Sequence, residues 1–362
     1  MGNRSRTLVI ALGIFFVGVA VLAKFYAYPT LAVAPADQVA HTVSTTQQDA
    51  TVFVVATQKE TQLPLTSTRT VRGDVVAAEK ISEALDREVV VFDTAVVTDD
   101  DPQYQFPAED DAKRDEKAPL SFVQERVVLD AHTGEAVRWN PDPAKDNSGE
   151  YITTTLNPND RKRPGDPVFK GHEGLVLKFP FGTEKKTYQF WDSTLRKAFP
   201  IEFQEETELL GLKVYKFVQD VPKSEVPLVT PLKVPGAMVE ATGQDAVEVQ
   251  RSYQNIRTLW IEPVTGAIIK GEEKQFATID YQGEAKITAT EATIAYNDAT
   301  VKKNVEGAQE NGREEGGYQE KASQLHLIGF WVPLLSLIVG LLLLAAAAFF
   351  SLRPRTARRA AG

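Results

Sequence analysis

An antiparallel, β-rich domain held between two membrane-crossing helices is the fold that this 362-residue sequence predicts, in the mainly β (α+β) class. Three observations predict it. Residues 8–23 (LVIALGIFFVGVAVLA) and 327–352 (LIGFWVPLLSLIVGLLLLAAAAFFSL) are free of charge, and a helix needs roughly 20 apolar residues to cross the hydrocarbon layer. Between them, short runs rich in Val, Phe and Tyr alternate with turn residues, which is the strand signature. Arginines flank both apolar runs: Arg4 and Arg6 before the first, Arg353, Arg355, Arg358 and Arg359 after the second. Such flanks favour the cytoplasmic side.

The elements follow in chain order. Residues 1–7 read as a cytoplasmic tail and 8–28 as the first transmembrane helix, its length completed by residues beyond Lys24. A basic start and an apolar core also describe a cleaved signal peptide, with small residues at 32–36 (AVAPA) near a cleavage site. Both readings place the following domain outside the plasma membrane. That extracytoplasmic domain spans 29–325, with a helical stalk at 301–325. Residues 326–352 are the second span, and 353–362 a basic cytoplasmic tail.

Within the domain, β-branched and aromatic runs predict strands at 51–57, 88–97, 126–129, 174–179, 212–218, 257–261 and 285–295. Helix is the minority element. Residues 77–86 (AAEKISEALD) form either a helix or a polar loop. Asp192 or Ser193 caps a short turn that Pro200 stops, and Asn297 and Asp298 precede a capped helix at 300–308. A charged, glycine-bearing stretch at 310–317 leads into the second span.

Two turns are strongly marked. Residues 130–134 (DAHTG) and 262–266 (EPVTG) each open on an acid and end on glycine, which supplies the positive φ of a tight hairpin. Trp139 and Trp260 follow or precede them and are expected on the sheet face. Residues 99–117, strongly acidic, and 140–166 read as insertions, the first solvated. The stretch 221–238 differs: Pro222, Pro227, Pro231 and Pro235 forbid a regular strand, yet Leu228 and Leu232 are apolar. It either covers something greasy, touches the membrane, or lies buried against the sheet.

The chain has no cysteine, which removes disulfides, thiolate metal sites and cysteine catalysis. Its formal charge is −9, and setting aside the six flanking arginines leaves about −15 on the rest, unsuited to nucleic acid. No nucleophile elbow, zinc-protease helix, phosphate loop or dinucleotide fingerprint occurs. The reading is therefore non-enzymatic, without cofactor or metal. His172 beside Glu173 would point to opposite faces of a strand, so it reads as a surface histidine in a turn. Asp99, Asp100 and Asp101 read as a solvated run, with loose calcium binding as the sharper alternative.

The densest constellation lies at 174–200 (GLVLKFPFGTEKKTYQFWDSTLRKAFP). Phe179, Phe181, Tyr188, Phe190 and Trp191 are the plain makings of a core. The sharper reading makes them the lining of a cavity for an acyl chain or other apolar ligand. Lys185 and Lys186 would stand at its mouth, with Leu228 and Leu232 contributing from the proline-rich stretch.

That span, together with GLKVYKFVQDVP from residue 211 and LWIEPVTGAIIKGEE from residue 259, resembles a family of actinobacterial envelope proteins known as the porin PorA family. The resemblance covers nearly the whole chain. It implies a high-GC Gram-positive host, and it brings no catalytic or binding residues with it. The layout is also similar to that of the CD36-type scavenger receptors, which implies a β-rich ectodomain enclosing a lipid tunnel. A membrane β-barrel needs strands of about ten residues, apolar outward and polar inward; the short, charge-rich strands here do not match it. The expectation is a membrane-tethered binding protein that holds or transfers a lipid or other hydrophobic envelope molecule. The alternatives are an oligomeric porin or channel-associated protein, and a structural protein docking to an envelope partner through the acidic 99–117 loop.

Overall fold

The computed structural model describes residues 3–352, apart from 55–56, 105–118, 142–148, 154–155, 158–159, 165–170, 229–230, 242, 244, 308, 311–312 and 315. Most of the acidic 99–117 stretch, much of 140–166 and the basic tail lie outside the described residues.

The chain opens with α1 (Asn3–Leu22), a π-helical turn (Ala23–Ala27) and α2 (Tyr28–Leu31). Next come β1 (Val39–Thr46), β2 (Ala50–Val54), β3 (Lys59–Leu63), β4 (Thr66–Gly73), α3 (Val75–Leu85), β5 (Val89–Asp99) and β6 (Ser121–Asp130). Short β7 (Tyr151–Thr153), β8 (Leu156–Asn157) and β9 (Asp160–Pro164) precede β10 (Tyr188–Asp192), β11 (Lys197–Leu209), β12 (Leu212–Glu225) and β13 (Leu232–Pro235). Three long strands follow, β14 (Ala246–Ile261), β15 (Ile268–Tyr281) and β16 (Glu284–Tyr296). The chain ends with α4 (Asp298–Glu306), β17 (Gln309–Glu310), β18 (Arg313–Glu314), α5 (Tyr318–His326), a π-helical turn (Leu327–Trp331) and α6 (Val332–Leu352).

Two compact units result: Met1–Val33 with Gln319–Gly362, and Ala34–Tyr318. In the first, two helical stretches, Arg4–Leu31 and Tyr318–Ser351, are long and apolar enough to cross a membrane. α1 and α6 meet at glycines: a Cβ on Gly340 would stand 2.9 Å from the Gly13 carbonyl oxygen. Without a hydrophobic drive between helices in lipid, such close backbone approach supplies the packing. In the second unit, the strands pair antiparallel in the order β10-β11-β12-β14-β15-β16-β1-β4-β5-β6-β7. The predicted β-rich domain between two apolar helices is what the chain forms.

The sheet returns on itself. Beyond the stretch where β7 pairs, β6 is joined to β10 through single-residue bridges: Leu129 to Ala136, Glu135 to Leu175, and Leu175 to Phe190. Leu175 N–H donates to the Gln189 carbonyl and Trp191 N–H to the Leu175 carbonyl, both at 2.8 Å. These bridges cover β6 at Leu129 and β10 at Phe190, which shortens the exposed strand edges.

α3 forms as a helix because Asp74 caps it, its carboxylate accepting from Ala77 N–H at 3.0 Å, and because Ala77, Ala78 and Ile81 present one apolar face to the sheet. α4 starts where Asn297 accepts from Thr300 N–H at 2.8 Å. Val301 and Val305 are buried beneath it.

Four sequence readings change. Residues 174–179 are not a strand; Leu175 alone bridges, because the chain there must serve two edges at once. The turn after Asp192 is the β10–β11 hairpin, not a helical turn, and Pro200 sits within β11 opposite Gln189. β12 runs through Pro222, which is accommodated where the register shifts between Val221 and Ser224; a bulge tolerates the missing N–H. The helical stalk is interrupted: α4 packs on the sheet and the β17–β18 hairpin separates it from α5.

Candidate functional site

The aromatic span packs against itself. Phe179, Phe190 and Phe217 are buried with Leu175, Ile201, Leu259 and Ile261. The Phe179 ring centroid lies 4.9 Å from that of Phe217 and 5.3 Å from that of Tyr188. Rings at this spacing are in mutual contact, so they fill the space that an acyl chain would need. Phe181 sits under Lys178, whose Nζ lies 4.1 Å from the ring centroid. Lys185 pairs with Glu206 at 2.8 Å and Lys186 with Glu184 at 2.5 Å, and both stand at the rim of this cluster, Lys185 Nζ 5.1 Å from the Tyr215 ring centroid and Lys186 Nζ 5.3 Å from that of Tyr188. Leu232 packs into a separate cluster with Val234, Val247 and Ile279, while Leu228 is exposed. The nine residues proposed for one cavity are thus spread over a filled core, a second core and the surface. Of the three readings for 221–238, burial against the sheet is the one seen for Val226 and Val234.

The same segment clamps both predicted turns. Phe179 N–H donates to the Gly266 carbonyl at 2.8 Å, and a Cβ on Gly266 would meet the Phe179 oxygen at 2.1 Å. A Cβ on Gly134 would meet Lys178 at 2.8 Å. Both glycines have positive φ, +72 and +74. Asp130 accepts from His132 and Thr133 N–H, and Glu262 from Val264 and Thr265 N–H, so the acid that opens each turn also holds it.

Beside the aromatic cluster lies a buried ionic layer. Arg257 donates to Glu273 at 2.7 Å, Gln219 at 2.5 Å, the Trp191 carbonyl at 3.2 Å and Asp192 at 3.3 Å. Burial alone would lower its pKa, but Glu273 and Asp192 outweigh that and hold it above the ordinary value. His172, read from sequence as a surface residue, is 1 % exposed. Its Nδ1 lies 3.0 Å from Glu150, its Nε2 3.5 Å from Glu125, and its ring 4.8 Å from that of Trp191. Glu125 also accepts from Trp191 Nε1 at 3.1 Å and Ser193 Oγ at 2.9 Å. Burial would push the imidazole down and the carboxylate up. The Glu125 and Glu150 hydrogen bonds instead raise the His172 pKa, and His172 in turn lowers that of Glu125. This layer ties β6 to β10 across the closure. Sequence reasoning missed it because its members are separated by up to 148 residues, with no spacing to betray them.

On the opposite face of the same strands is a polar cavity of about 940 Å³. The register builds it. β14 buries Asn255 and Arg257 but exposes Gln254 and Ile256. Gln254 stands opposite Phe276, which stands opposite Glu291. One pair along, Ile256 is opposite both Asp220 and Lys274, and Lys274 is opposite Thr293. The β1–β2 connection adds Gln47, Gln48 and Asp49. The floor is anchored from behind: Glu273 accepts from Asn255 Nδ2 at 3.2 Å and Gln275 Nε2 at 2.6 Å.

A family model described as Porin PorA matches residues 6–349. A protein named Porin PorA from Corynebacterium amycolatum is 28% identical over 189 residues, 46% of this chain and 46% of that one. Another of that name, from Corynebacterium resistens, is 27% identical over 302 residues, 68% of this chain and 71% of that one. The chain thus spans under half the length of the first relative. The family match begins inside α1 and ends inside α6. Because it takes in both apolar helices and the whole closed sheet between them, the chain belongs to the PorA porin family.

Proposed function

We propose that the protein is a non-enzymatic binding module of the cell envelope, anchored in the plasma membrane by both ends with its β unit outside. The observation that carries this reading is the closed sheet between two apolar helices, with aromatic and ionic layers inside and a polar cavity on its outer face. The arginine flanks favour cytoplasmic termini. The hydrophobic cargo expected from the sequence has no apolar cavity to occupy among the aromatic residues, so the binding reading is kept and its cargo becomes polar.

The absence of cysteine makes the topology directly testable. Gln282→Cys, in the exposed β15–β16 turn, is expected to react with a membrane-impermeant maleimide in intact cells, and Ala361→Cys only after lysis. The reverse result would sink the proposed orientation. Native mass measurement of the full-length protein from its host would reveal any retained ligand.

The family description favours a second reading, a channel. The sheet interior is occupied by aromatic and ionic layers, so conduction would need several copies to assemble through their helices. Planar-bilayer recordings decide this: steady unitary currents would support it, and silence at high protein load would remove it.

A further inference from the structure

We infer that the outer-face cavity across β12, β14, β15 and β16 is a binding site for a neutral, polyhydroxylated ligand, namely a segment of an oligosaccharide. This rests on the binding-module reading and supplies its ligand class. The volume of about 940 Å³ falls at the upper end of the roughly 300–1,000 Å³ of small-molecule sites.

The lining chemistry selects the ligand. Three amides, Gln47, Gln48 and Gln254, contribute to the wall on the outer face. Each amide carries two N–H donors and a carbonyl acceptor, and a sugar hydroxyl both donates and accepts. Four carboxylates, Asp49, Asp220, Glu272 and Glu291, face a single lining ammonium, Lys274, itself 3.8 Å from Glu272. That field repels phosphate, sulfate and uronate groups.

Phe276 adds the apolar component. Register places it between Gln254 and Glu291 on the neighbouring strands. A half-buried ring flanked by an amide and a carboxylate matches a pyranose, whose C–H face is apolar and whose rim is hydroxylated.

A peptide is the main competitor on charge grounds. The usual route for an extended peptide is strand addition at a free edge. Here β12, β14, β15 and β16 each have strand neighbours on both sides. A peptide would have to lie on side chains alone.

The experiment uses the full-length protein in a zwitterionic detergent, because sugar-headed detergents would compete. It is applied to an array of neutral oligosaccharides, uronate-containing oligosaccharides and hexalysine, and hits are measured by calorimetry. At least one neutral oligosaccharide is expected to bind, with uronates ignored. Phe276→Ala and Gln254→Ala are each expected to weaken that binding about tenfold, close to 1.4 kcal/mol, at an unchanged melting temperature. Neutral sugars left unbound, or bound equally by both variants, would overturn the assignment. Hexalysine bound in place of sugars would overturn it too, while sparing the reading that the domain binds a ligand. A silent array with unitary currents in bilayers would overturn both.

Discussion

The two faces of β14 differ in kind. One face carries Tyr253, Asn255, Arg257, Leu259 and Ile261, all buried. The other carries Gln254 and Ile256, exposed over a polar cavity. The buried face changes along its length from an aromatic and aliphatic cluster to an ionic layer. The difference teaches which part of the sheet is committed to holding the ring closed. Residues on the inner face are fixed by neighbours from several strands, so the outer face is where the fold leaves freedom for recognition.

Replacing an inner aromatic tests that commitment most severely. Phe217 is fully buried and contacts Phe179, Tyr188 and Phe203. Phe217→Ala is expected to cost about 4 kcal/mol, as large-to-small core changes do, read by denaturant unfolding of the full-length protein. A loss below about 1 kcal/mol would mean that the interior is not packed as described.

Breaking the ionic layer ranks next. Arg257→Ala leaves the buried Asp192 and the half-buried Glu273 without their cation, for an expected loss of about 3 kcal/mol. Adding Glu273→Gln to it should restore part of that loss, since one stranded charge is removed. Equal losses in the single and double variants would show that packing, not charge, is at stake.

The His172 cluster gives the comparison a pH dependence. Its folded pKa stands above the ordinary 6.5. The stability it contributes is therefore complete below pH 6.5 and lost as pH rises through the raised value. Lys178 runs the other way: burial pushes it down to about 7 from 10.5, so stability grows as pH rises across that interval. His172→Gln separates the two. The stability advantage of the parent over this variant is expected to shrink between about pH 6 and about pH 8. A constant advantage would mean that folding leaves the proton affinity of the imidazole unchanged.

How far the sequence foretold this follows from the same two faces. The apolar ends, the two acid-to-glycine turns and α4 were legible, because each depends on residues adjacent in the chain. β4 (TSTRTVRG) was not, because an apolar alternation is the main strand signal and this strand carries polar residues on both faces; in β11 (KAFPIEFQEETEL) the alternation of Phe199, Ile201 and Phe203 was obscured by Pro200. The aromatic span was visible as a cluster, but not its packing state: filled core and lined cavity use the same residues. His172 was misplaced because its partners, Glu125 and Glu150, come from other parts of the fold.

The smallest expected effect on the unliganded protein is also the one that separates the faces most cleanly. Gln254 is exposed, and its side chain faces the cavity rather than the interior. Gln254→Ala is expected to change stability by no more than about 0.5 kcal/mol, the usual range for a surface position. A bound ligand raises stability by mass action, by about 2.7 kcal/mol at one hundred times its Kd. The parent protein should therefore gain melting temperature on adding a neutral oligosaccharide that it binds, while Gln254→Ala gains distinctly less at the same concentration. Inner-face variants such as Arg257→Ala predict the converse: low stability, but an undiminished increment from ligand wherever the sheet still closes. If both classes of variant lost the increment together, the two faces would be one cooperative site and the division drawn between them would fail.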